Sequence, residues 1–288
     1  MHFAHATLAF TAAAVCSAAF AAGFTEGQPE QIRSKHKFTE GPLYMPDGYL
    51  LFSDIPAHHI YKEDGTVFRE ESGYSNGLTL DREGRLIAAE HKRRVSRTEK
   101  DGTIVTLVDA YQGKKLNSPN DVIVRSDGAI FFTDPPYGGN KVELDFNAVY
   151  KIAPDGTLTL LVKDFIKPNG LALSPDEKTL YVADTEGSHL RAFDVAEDGS
   201  VSNGRVLCEV PGPDGIKVDT LGNIWATAGD GVRVISPTGE LLDTIVFPEK
   251  PANCCFGGPD GKTLYVTARS GVYKIRTTVE GIRPQPGK

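Results

Sequence analysis

A six-fold repeat constrains the fold of this chain more than any other feature of its sequence. Each copy is a tight turn followed by a short apolar run, and no amphipathic helix pattern interrupts the series. The runs are YLLFSD, RLIAAE, AIFFTD, TLYVAD, NIWATA and KTLYVT, at residues 49–54, 85–90, 129–134, 179–184, 223–228 and 262–267. They recur every 36 to 50 residues, which is the length of a four-stranded blade. The sequence therefore predicts an all-β fold, a six-bladed β-propeller with four-stranded antiparallel blades.

The last repeat is too short to build a complete blade. After KTLYVT, only residues 272–276 form a convincing strand pattern. The segment at residues 32–38, just before the first repeat, is placed to supply the missing outer strand and so to remove the exposed sheet edges. A β-sandwich is the alternative, but it does not account for the six-fold period. We expect residues 22–288 to form a single catalytic propeller domain.

The first 21 residues are predicted to be a signal peptide. Residues 6–22 are rich in Ala and uncharged, and AFA at residues 19–21 has the small-x-small pattern of a signal-peptidase site. A transmembrane anchor and a lipoprotein modified at Cys16 are the alternatives, and the absence of Lys and Arg near the N-terminus departs from the usual signal peptide. The run is short and weakly apolar for a membrane span. We expect a periplasmic or secreted protein with no membrane attachment after cleavage.

Charge and cysteine content exclude several functions. The net charge of −7 argues against nucleic acid as a partner. Once Cys16 is removed, the remaining residues Cys208, Cys254 and Cys255 match neither a zinc motif nor a disulfide framework. We expect buried free thiols, with a vicinal Cys254–Cys255 disulfide as the alternative.

One position of the repeat is polar in every blade. It lies eight residues before the turn residue in five blades, and in blade four Asn169 lies nine residues before Lys178. The six residues are Glu40, Asn76, Asn120, Asn169, Asp214 and Asn253. This position begins the innermost strand of each blade, so all six side chains should converge on the propeller axis. Most are followed by Gly, which lets neighbouring backbones approach closely.

Two carboxylates and four amides, with no His or Cys among them, are ligands for a hard cation. We expect one divalent cation, with calcium as the first choice and zinc, magnesium or manganese as alternatives. A hydrogen-bonded polar plug without metal is the structural alternative. Against it, burying two carboxylates without positive charge is costly, and none of the six positions holds Lys or Arg.

Longer motifs resemble those of one enzyme family. They are EGP at residues 40–42, SPND at 118–121, FTDPPYG at 132–138, PNGLA at 168–172 and SPD at 174–176. In these motifs the chain resembles the gluconolactonase/regucalcin-like family, which is similar to diisopropylfluorophosphatase in fold and metal site. The resemblance implies a divalent cation held by Glu40, Asn120, Asn169 and Asp214. Animal members carry a substrate-contacting Arg where this chain has Ser118, so that role is not transferred.

Five further residues are candidates for substrate binding. Asn76 and Asn253 belong to the polar position, and Tyr137 lies in the longest loop, residues 135–147, a candidate lid. His91 either faces the substrate or makes structural hydrogen bonds. Asp121 is expected to orient Asn120 or the cation.

The resulting hypothesis is a metal-dependent lactonase that opens a sugar lactone, with gluconolactone as the first candidate. Asp214 is the candidate catalytic residue, either activating water, attacking as a nucleophile or serving only as a ligand. A phosphotriesterase-like hydrolase at the same site and a non-catalytic binding propeller with a structural calcium are the alternatives. We recognise no Gly-x-Ser-x-Gly elbow and therefore do not expect a serine esterase.

Overall fold

The computed structural model describes residues 23–284 and 286–287 and contains six four-stranded antiparallel sheets. The predicted signal peptide and its cleavage site lie outside the described residues. In blade one the strands are β2 (Thr39–Tyr44), β3 (Leu50–Asp54), β4 (His59–Lys62) and β5 (Val67–Arg69). In blade two they are β6 (Ser75–Leu80), β7 (Leu86–Glu90), β8 (Arg94–Thr98) and β9 (Ile104–Val108). In blade three they are β12 (Val122–Val124), β13 (Ile130–Asp134), β14 (Asn147–Ile152) and β15 (Leu158–Phe165).

The remaining blades follow the same plan. Blade four has β16 (Pro168–Leu173), β17 (Thr179–Asp184), β18 (His189–Val195) and β19 (Val201–Glu209). Blade five has β20 (Ile216–Val218), β21 (Ile224–Ala228), β22 (Gly231–Ile235) and β23 (Leu241–Ile245). Blade six joins β24 (Asn253–Gly257), β25 (Thr263–Ala268) and β26 (Gly271–Thr277) to β1 (Thr25–Arg33). A short hairpin, β10 (Ala110–Tyr111) and β11 (Lys114–Lys115), and a 3-10 turn at Ile55–Ala57 are the other elements. The predicted six-bladed propeller is confirmed.

The N-terminal strand closes the last blade as predicted, but it begins earlier than expected. It runs over Thr25–Arg33 and pairs with β26, whereas the sequence predicts a closing strand at residues 32–38. Lys35 has a positive φ of 68°, which ends the extended conformation. The residues that follow form the crossover into blade one, where Asp54 accepts hydrogen bonds from the amides of Lys37 and Phe38.

The turn of blade four corrects the spacing of the repeat. In the other blades a Gly closes the turn after the inner strand, as at Gly48 with φ of 90°. In blade four Glu177 takes this place, with φ of 57° and its amide bonded to the carbonyl of Ser174. Asn169 therefore lies eight residues before its turn residue, as in the other five blades, and not nine before Lys178.

Apolar packing holds each blade against its neighbours. The described residues form six buried clusters, one at each interface between adjacent blades. Between blades five and six, for example, Trp225 packs edge-on against Phe256. Because every interface is apolar, the polar residues at the axis are held by a rigid ring of sheets.

The two ends of the central channel differ. One end carries the six polar residues, and the other opens into a cavity of about 650 Å3 lined by the inner strands of all six blades. The C-terminal segment crosses that second mouth: the amide of Ile282 bonds to Val218 of blade five and the amide of Gly287 to Arg82 of blade two. Among the described residues, no helix is long and apolar enough to cross a membrane.

Candidate functional site

The six polar side chains predicted from the repeat meet at one end of the propeller axis. Glu40 and the four Asn residues are buried, and Asp214 is half-buried. Irregular pairing interrupts the ladder at the polar residue in blades one, two and four, between Glu40 and Leu43, Ser75 and Leu78, and Pro168 and Leu171. Such bulges change the direction of the side chain that they carry. The local backbone thus helps to aim these side chains at the axis.

Glycine after the polar position allows the blades to converge. A Cβ atom at Gly77 would lie 2.9 Å from the carbonyl oxygen of Asn120, and one at Gly215 would lie 2.1 Å from Oδ1 of Asn253. The amide of Gly77 also donates to the carbonyl of Asn120 at 2.8 Å. The predicted role of these Gly residues in close blade-to-blade approach is confirmed.

The amide side of the ring is a chain of hydrogen bonds. Nδ2 of Asn76 donates to Oδ1 of Asn120 at 2.7 Å, and Nδ2 of Asn120 donates to Oδ1 of Asn169 at 2.6 Å. Nδ2 of Asn169 in turn contacts the hydroxyls of Tyr137 and Thr185, each at 3.1 Å. Oδ1 of Asn76 is buried and has no hydrogen-bond donor. The chain therefore ends in an unsatisfied oxygen acceptor.

Neither acid of the ring, Glu40 or Asp214, forms a salt bridge in the part of the chain that the structure describes. Burial, followed by the Asp214 and Asp121 carboxylates, raises the pKa of Glu40 well above its usual range. Burial raises the pKa of Asp214 to about 7, although Lys250 and a hydrogen bond from Asn169 oppose the shift. The Asn253 amide lies beside the carboxylates of both Glu40 and Asp121 and lowers the pKa of each, against the effect of burial. Both ring acids thus lie where an added cation would stabilise their ionised forms.

These donors fit a hard cation. Among the described residues, no group of three or more His, Cys, Asp or Glu side chains is placed to hold a metal. The ring instead combines two carboxylates with amide oxygens, the donor set that calcium and magnesium accept and zinc does not prefer. Oδ1 of Asn76 has no hydrogen-bond donor, and the pKa values of Glu40 and Asp214 are raised. Both features are expected of cation ligands when no cation is bound. All four residues implied as ligands, Glu40, Asn120, Asn169 and Asp214, lie in this ring.

His91 and Tyr137 lie beside the amide side of the ring. Nε2 of His91 is 3.4 Å from Oδ1 of Asn120, and burial lowers the pKa of His91, which favours the neutral imidazole. The His91 ring stacks on that of Tyr137 with centroids 6.3 Å apart. Burial raises the pKa of Tyr137 to about 12, so that its hydroxyl keeps its proton. His91 and Tyr137, two of the five predicted substrate-binding residues, thus offer neutral hydrogen-bonding groups.

The candidate lid is attached to the same wall. The amide of Gly138 donates to Oγ of Ser118 at 2.8 Å, and Nδ2 of Asn140 donates to the carbonyl of His91 at 2.8 Å. Ser118, whose position carries no transferred substrate-binding role, therefore anchors the loop.

Two residues of the site, Thr185 and Lys217, are not predicted from the sequence. Thr185 accepts hydrogen bonds from Asn169 and Tyr137 and donates to the carbonyl of Pro213. The sequence signal for Thr185 is its position directly after Asp184, one of the carboxylates that end the second strand of a blade. Nζ of Lys217 lies 3.7 Å from Oδ2 of Asp121. The Asp121 side chain is only 2% exposed and lies against Lys217, Asn253 and the amide of Val122.

A carboxylate ends the second strand of four blades, and in three of them it holds the crossover that enters the blade. Asp54, Asp134 and Asp184 accept backbone amides from the segment that enters their own blade, for example that of Lys167 on Asp184. Glu90 instead pairs with Arg69 of the preceding blade at 2.6 Å.

Two alternative chemistries do not fit the structure. Residues 73–77 do match the Gly-x-Ser-x-Gly pattern of serine hydrolases, but Ser75 lies fully buried in β6 with its Oγ 3.0 Å from Oγ of Ser53. It is therefore not the exposed nucleophile of a strand-to-helix elbow. Cys208, Cys254 and Cys255 are free thiols, so the vicinal disulfide is absent; Cys254 and Cys255 are buried as predicted, but Cys208 is only half-buried.

Comparison with known proteins gives a consistent family. Residues 38–270 match the family model described as "SMP-30/Gluconolactonase/LRE-like region". The chain is 34% identical to a gluconolactonase from Zymomonas mobilis, over 88% of this chain and 82% of that protein. It is 31% identical to a pentonolactonase from Haloferax volcanii, over 81% of each chain. The solved structure of a gluconolactonase from Xanthomonas campestris superimposes with a TM-score of 0.81 and 36% identity, covering 86% of this chain and 89% of that one.

Proposed function

The chain belongs to the SMP-30/gluconolactonase/LRE-like family, and we propose that it is a metal-dependent hydrolase that opens a sugar lactone to the corresponding aldonic acid. The observation that carries the proposal is the ring itself. Glu40 and Asp214 converge with neutral amide oxygens at the end of the axis where His91 and Tyr137 also lie. Such a site offers oxygen ligands beside uncharged groups suited to a polyol.

Glu40, Asn120, Asn169 and Asp214 would hold the cation, for which calcium is our first choice and magnesium, manganese and zinc are alternatives. When bound, the cation would supply Lewis-acid stabilisation of the negative charge that develops on the ester carbonyl oxygen. The remaining ring residues keep these ligands in place. Asn76 holds Asn120 through a 2.7 Å hydrogen bond, and the Asn253 amide lies beside Glu40 and favours its ionised form.

Asp214 is our candidate for the general base. It is the one ring residue that is only half-buried, so a carboxylate oxygen can meet water. That oxygen would take a proton from the water as the water attacks the carbonyl carbon, and would return it to the ring oxygen as the C–O bond of the lactone breaks. The neighbouring Asn169 amide favours the ionised form of this carboxylate.

Sugar lactones are the substrate class that suits the walls of the site. Neutral His91 and the Tyr137 hydroxyl can exchange hydrogen bonds with substrate hydroxyl groups without adding charge. The three similar proteins named above are two gluconolactonases and one pentonolactonase. Glucono-1,5-lactone is therefore our first substrate, with pentonolactones next.

A pH-indicator assay tests the proposal directly. The panel contains glucono-1,5-lactone, a pentonolactone, an unsubstituted aliphatic lactone and a phosphotriester, each with protein that is untreated, chelated, or chelated and resupplied with calcium, magnesium, manganese or zinc. We expect sugar lactones to be opened fastest, activity to be lost on chelation and one cation to restore it. Full activity in protein shown to be metal-free would contradict metal dependence. Turnover of the phosphotriester alone, or lactone binding without opening, would favour the two alternative functions instead.

A further inference from the structure

A lysine lies inside the propeller channel just below the polar ring. Lys217 is on β20 of blade five, three residues after Asp214, and its side chain lines the axial cavity. Its Nζ lies 2.9 Å from the carbonyl oxygen of Ile216 and 3.7 Å from Oδ2 of Asp121, which comes from blade three. The pair therefore spans the axis between two blades that are not adjacent.

This lysine is exceptional at its position of the repeat. The residues three positions after the polar ring are Leu43, Thr79, Ile123, Ala172, Lys217 and Phe256, and all six line the cavity. Five of them are uncharged. A single ammonium group thus lies in an otherwise uncharged layer, directly below a proposed cation site. The ammonium and a bound cation would repel each other strongly where water is scarce.

Asp121 is the carboxylate that pairs with Lys217. Its side chain is 2% exposed, and Oδ2 has no hydrogen-bond donor, so Lys217 at 3.7 Å is the cation that compensates it. Lys217 itself is 20% exposed and faces the cavity. Three carboxylates, Glu40, Asp214 and Asp121, and one ammonium leave the centre with two negative charges. Lys250 also acts on Asp214, but it is exposed, and water and salt weaken the effect of an exposed charge.

We propose that Lys217 is a positioning residue that sets the charge of the cation site at −2: its ammonium neutralises Asp121 and keeps that carboxylate from acting as a third anionic ligand. This inference rests on the proposed function, since it concerns the same cation. A site with two net negative charges matches a dication and leaves it able to polarise a substrate. A third uncompensated carboxylate would favour tighter binding and more highly charged ions.

Four variants test the inference by calorimetric titration with calcium and with terbium(III). Lys217→Met keeps the length of the side chain but removes its charge, so calcium should bind about tenfold more tightly and the gain for terbium should be larger still. Asp121→Asn should weaken calcium binding about tenfold. The double variant Lys217→Met/Asp121→Asn restores the charge and should return to within about threefold of wild type. Lys217→Arg keeps the charge and should stay near wild type.

The outcomes separate the possible failures. Unchanged calcium affinity in Lys217→Met, with an unchanged preference between terbium and calcium, would overturn the inference and leave the metal site intact. If Lys217→Met does not fold, Asp121→Asn decides alone, since unchanged calcium affinity in that variant also overturns it. A wild-type protein that binds none of the tested cations removes the proposed metal dependence together with this inference. Absence of lactone turnover with normal titrations would affect only the proposed activity.

Discussion

Asn120 and Asn169 are joined side chain to side chain across neighbouring blades, with Nδ2 of the first donating to Oδ1 of the second at 2.6 Å. Asn76 extends the series with a 2.7 Å bond to Asn120. Each amide is therefore held by its neighbours before any ligand arrives, and the orientation of the ring oxygens is part of the fold. This preorganisation is what a cation site requires.

The two acids of the ring should control metal affinity. In Glu40→Gln or Asp214→Asn one of the two anionic ligands is lost, so calcium affinity should fall about 100-fold or more and lactone hydrolysis should almost disappear. Calorimetric titration and the pH-indicator assay measure the two effects. Chelated wild type should also unfold at a lower temperature, because a ligand of the native state alone stabilises it. Glu240→Gln, at an exposed turn on blade five, is the matched control and should change neither value.

The amides should act through their neutrality as well as their oxygens. Asn120→Asp or Asn169→Asp adds a negative charge, so cation binding should be kept or strengthened while kcat falls, because a more fully neutralised cation polarises a carbonyl less. Asn120→Ala or Asn169→Ala should weaken both. Calcium titration beside kcat on one lactone measures all four variants. Aspartate variants with tight binding and wild-type kcat would show that charge does not explain these asparagines.

The Tyr137 hydroxyl should contribute to turnover more than to metal binding. It accepts a hydrogen bond from Asn169 and donates one to Thr185, and Thr185 would still hold Asn169 in Tyr137→Phe. We expect kcat/KM to fall about fivefold, the effect of one hydrogen bond, while calcium affinity stays within about twofold. Tyr74→Phe alters an exposed tyrosine and serves as the control. Equal losses of calcium affinity and turnover in Tyr137→Phe would assign the hydroxyl to the metal site instead.

Asp54 should make stability depend on pH. Burial alone would raise its pKa, but hydrogen bonds from His36 and from the amides of Lys37 and Phe38 lower the pKa of Asp54 overall. The stabilisation is therefore complete above the pKa of an unfolded aspartate and is lost as pH falls through the lower folded value. Asp54→Asn should lower the free energy of unfolding by about 2 kcal/mol at pH 7, and less below about pH 4.

Urea unfolding of Asp54→Asn and wild type at several pH values measures this difference. Asp47→Asn changes an exposed aspartate in a turn of the same blade and should show little effect. A difference that stays constant from pH 7 to pH 3 would assign the loss to packing and not to the ionised carboxylate.

Export should leave the closing strand intact. The predicted cleavage after Ala21 lies upstream of β1, which begins at Thr25 and pairs with β26 to complete blade six. We therefore expect a mature periplasmic or secreted protein that begins near Ala22. Mass spectrometry of the periplasmic fraction gives the N-terminal residue. Intact Met1 on a membrane-bound form would instead favour an uncleaved anchor.

The sequence by itself determined the architecture and the identity of the axial ring. A propeller repeats one blade around an axis, so residues at equal places in the repeat must occupy equivalent places in space. Spacing from the turns therefore identifies Glu40, Asp214 and the four asparagines as one ring. This holds although the sequence pattern indicates Lys178 as the turn residue of blade four, where the structure has Glu177. The same reasoning gave the closing strand its role, although Lys35 ends that strand earlier than its composition indicated.

Contacts between different places in the repeat were decided only by the tertiary structure. The Lys217–Asp121 pair joins blades five and three across the channel, and Thr185 reaches Asn169 from the end of a different strand. No spacing along the chain predicts these pairs, because they depend on the tilt of each blade, on the bulges in the inner strands and on the reach of individual side chains. The sequence determines which groups face the axis, and the packing of six sheets around it decides which of them touch.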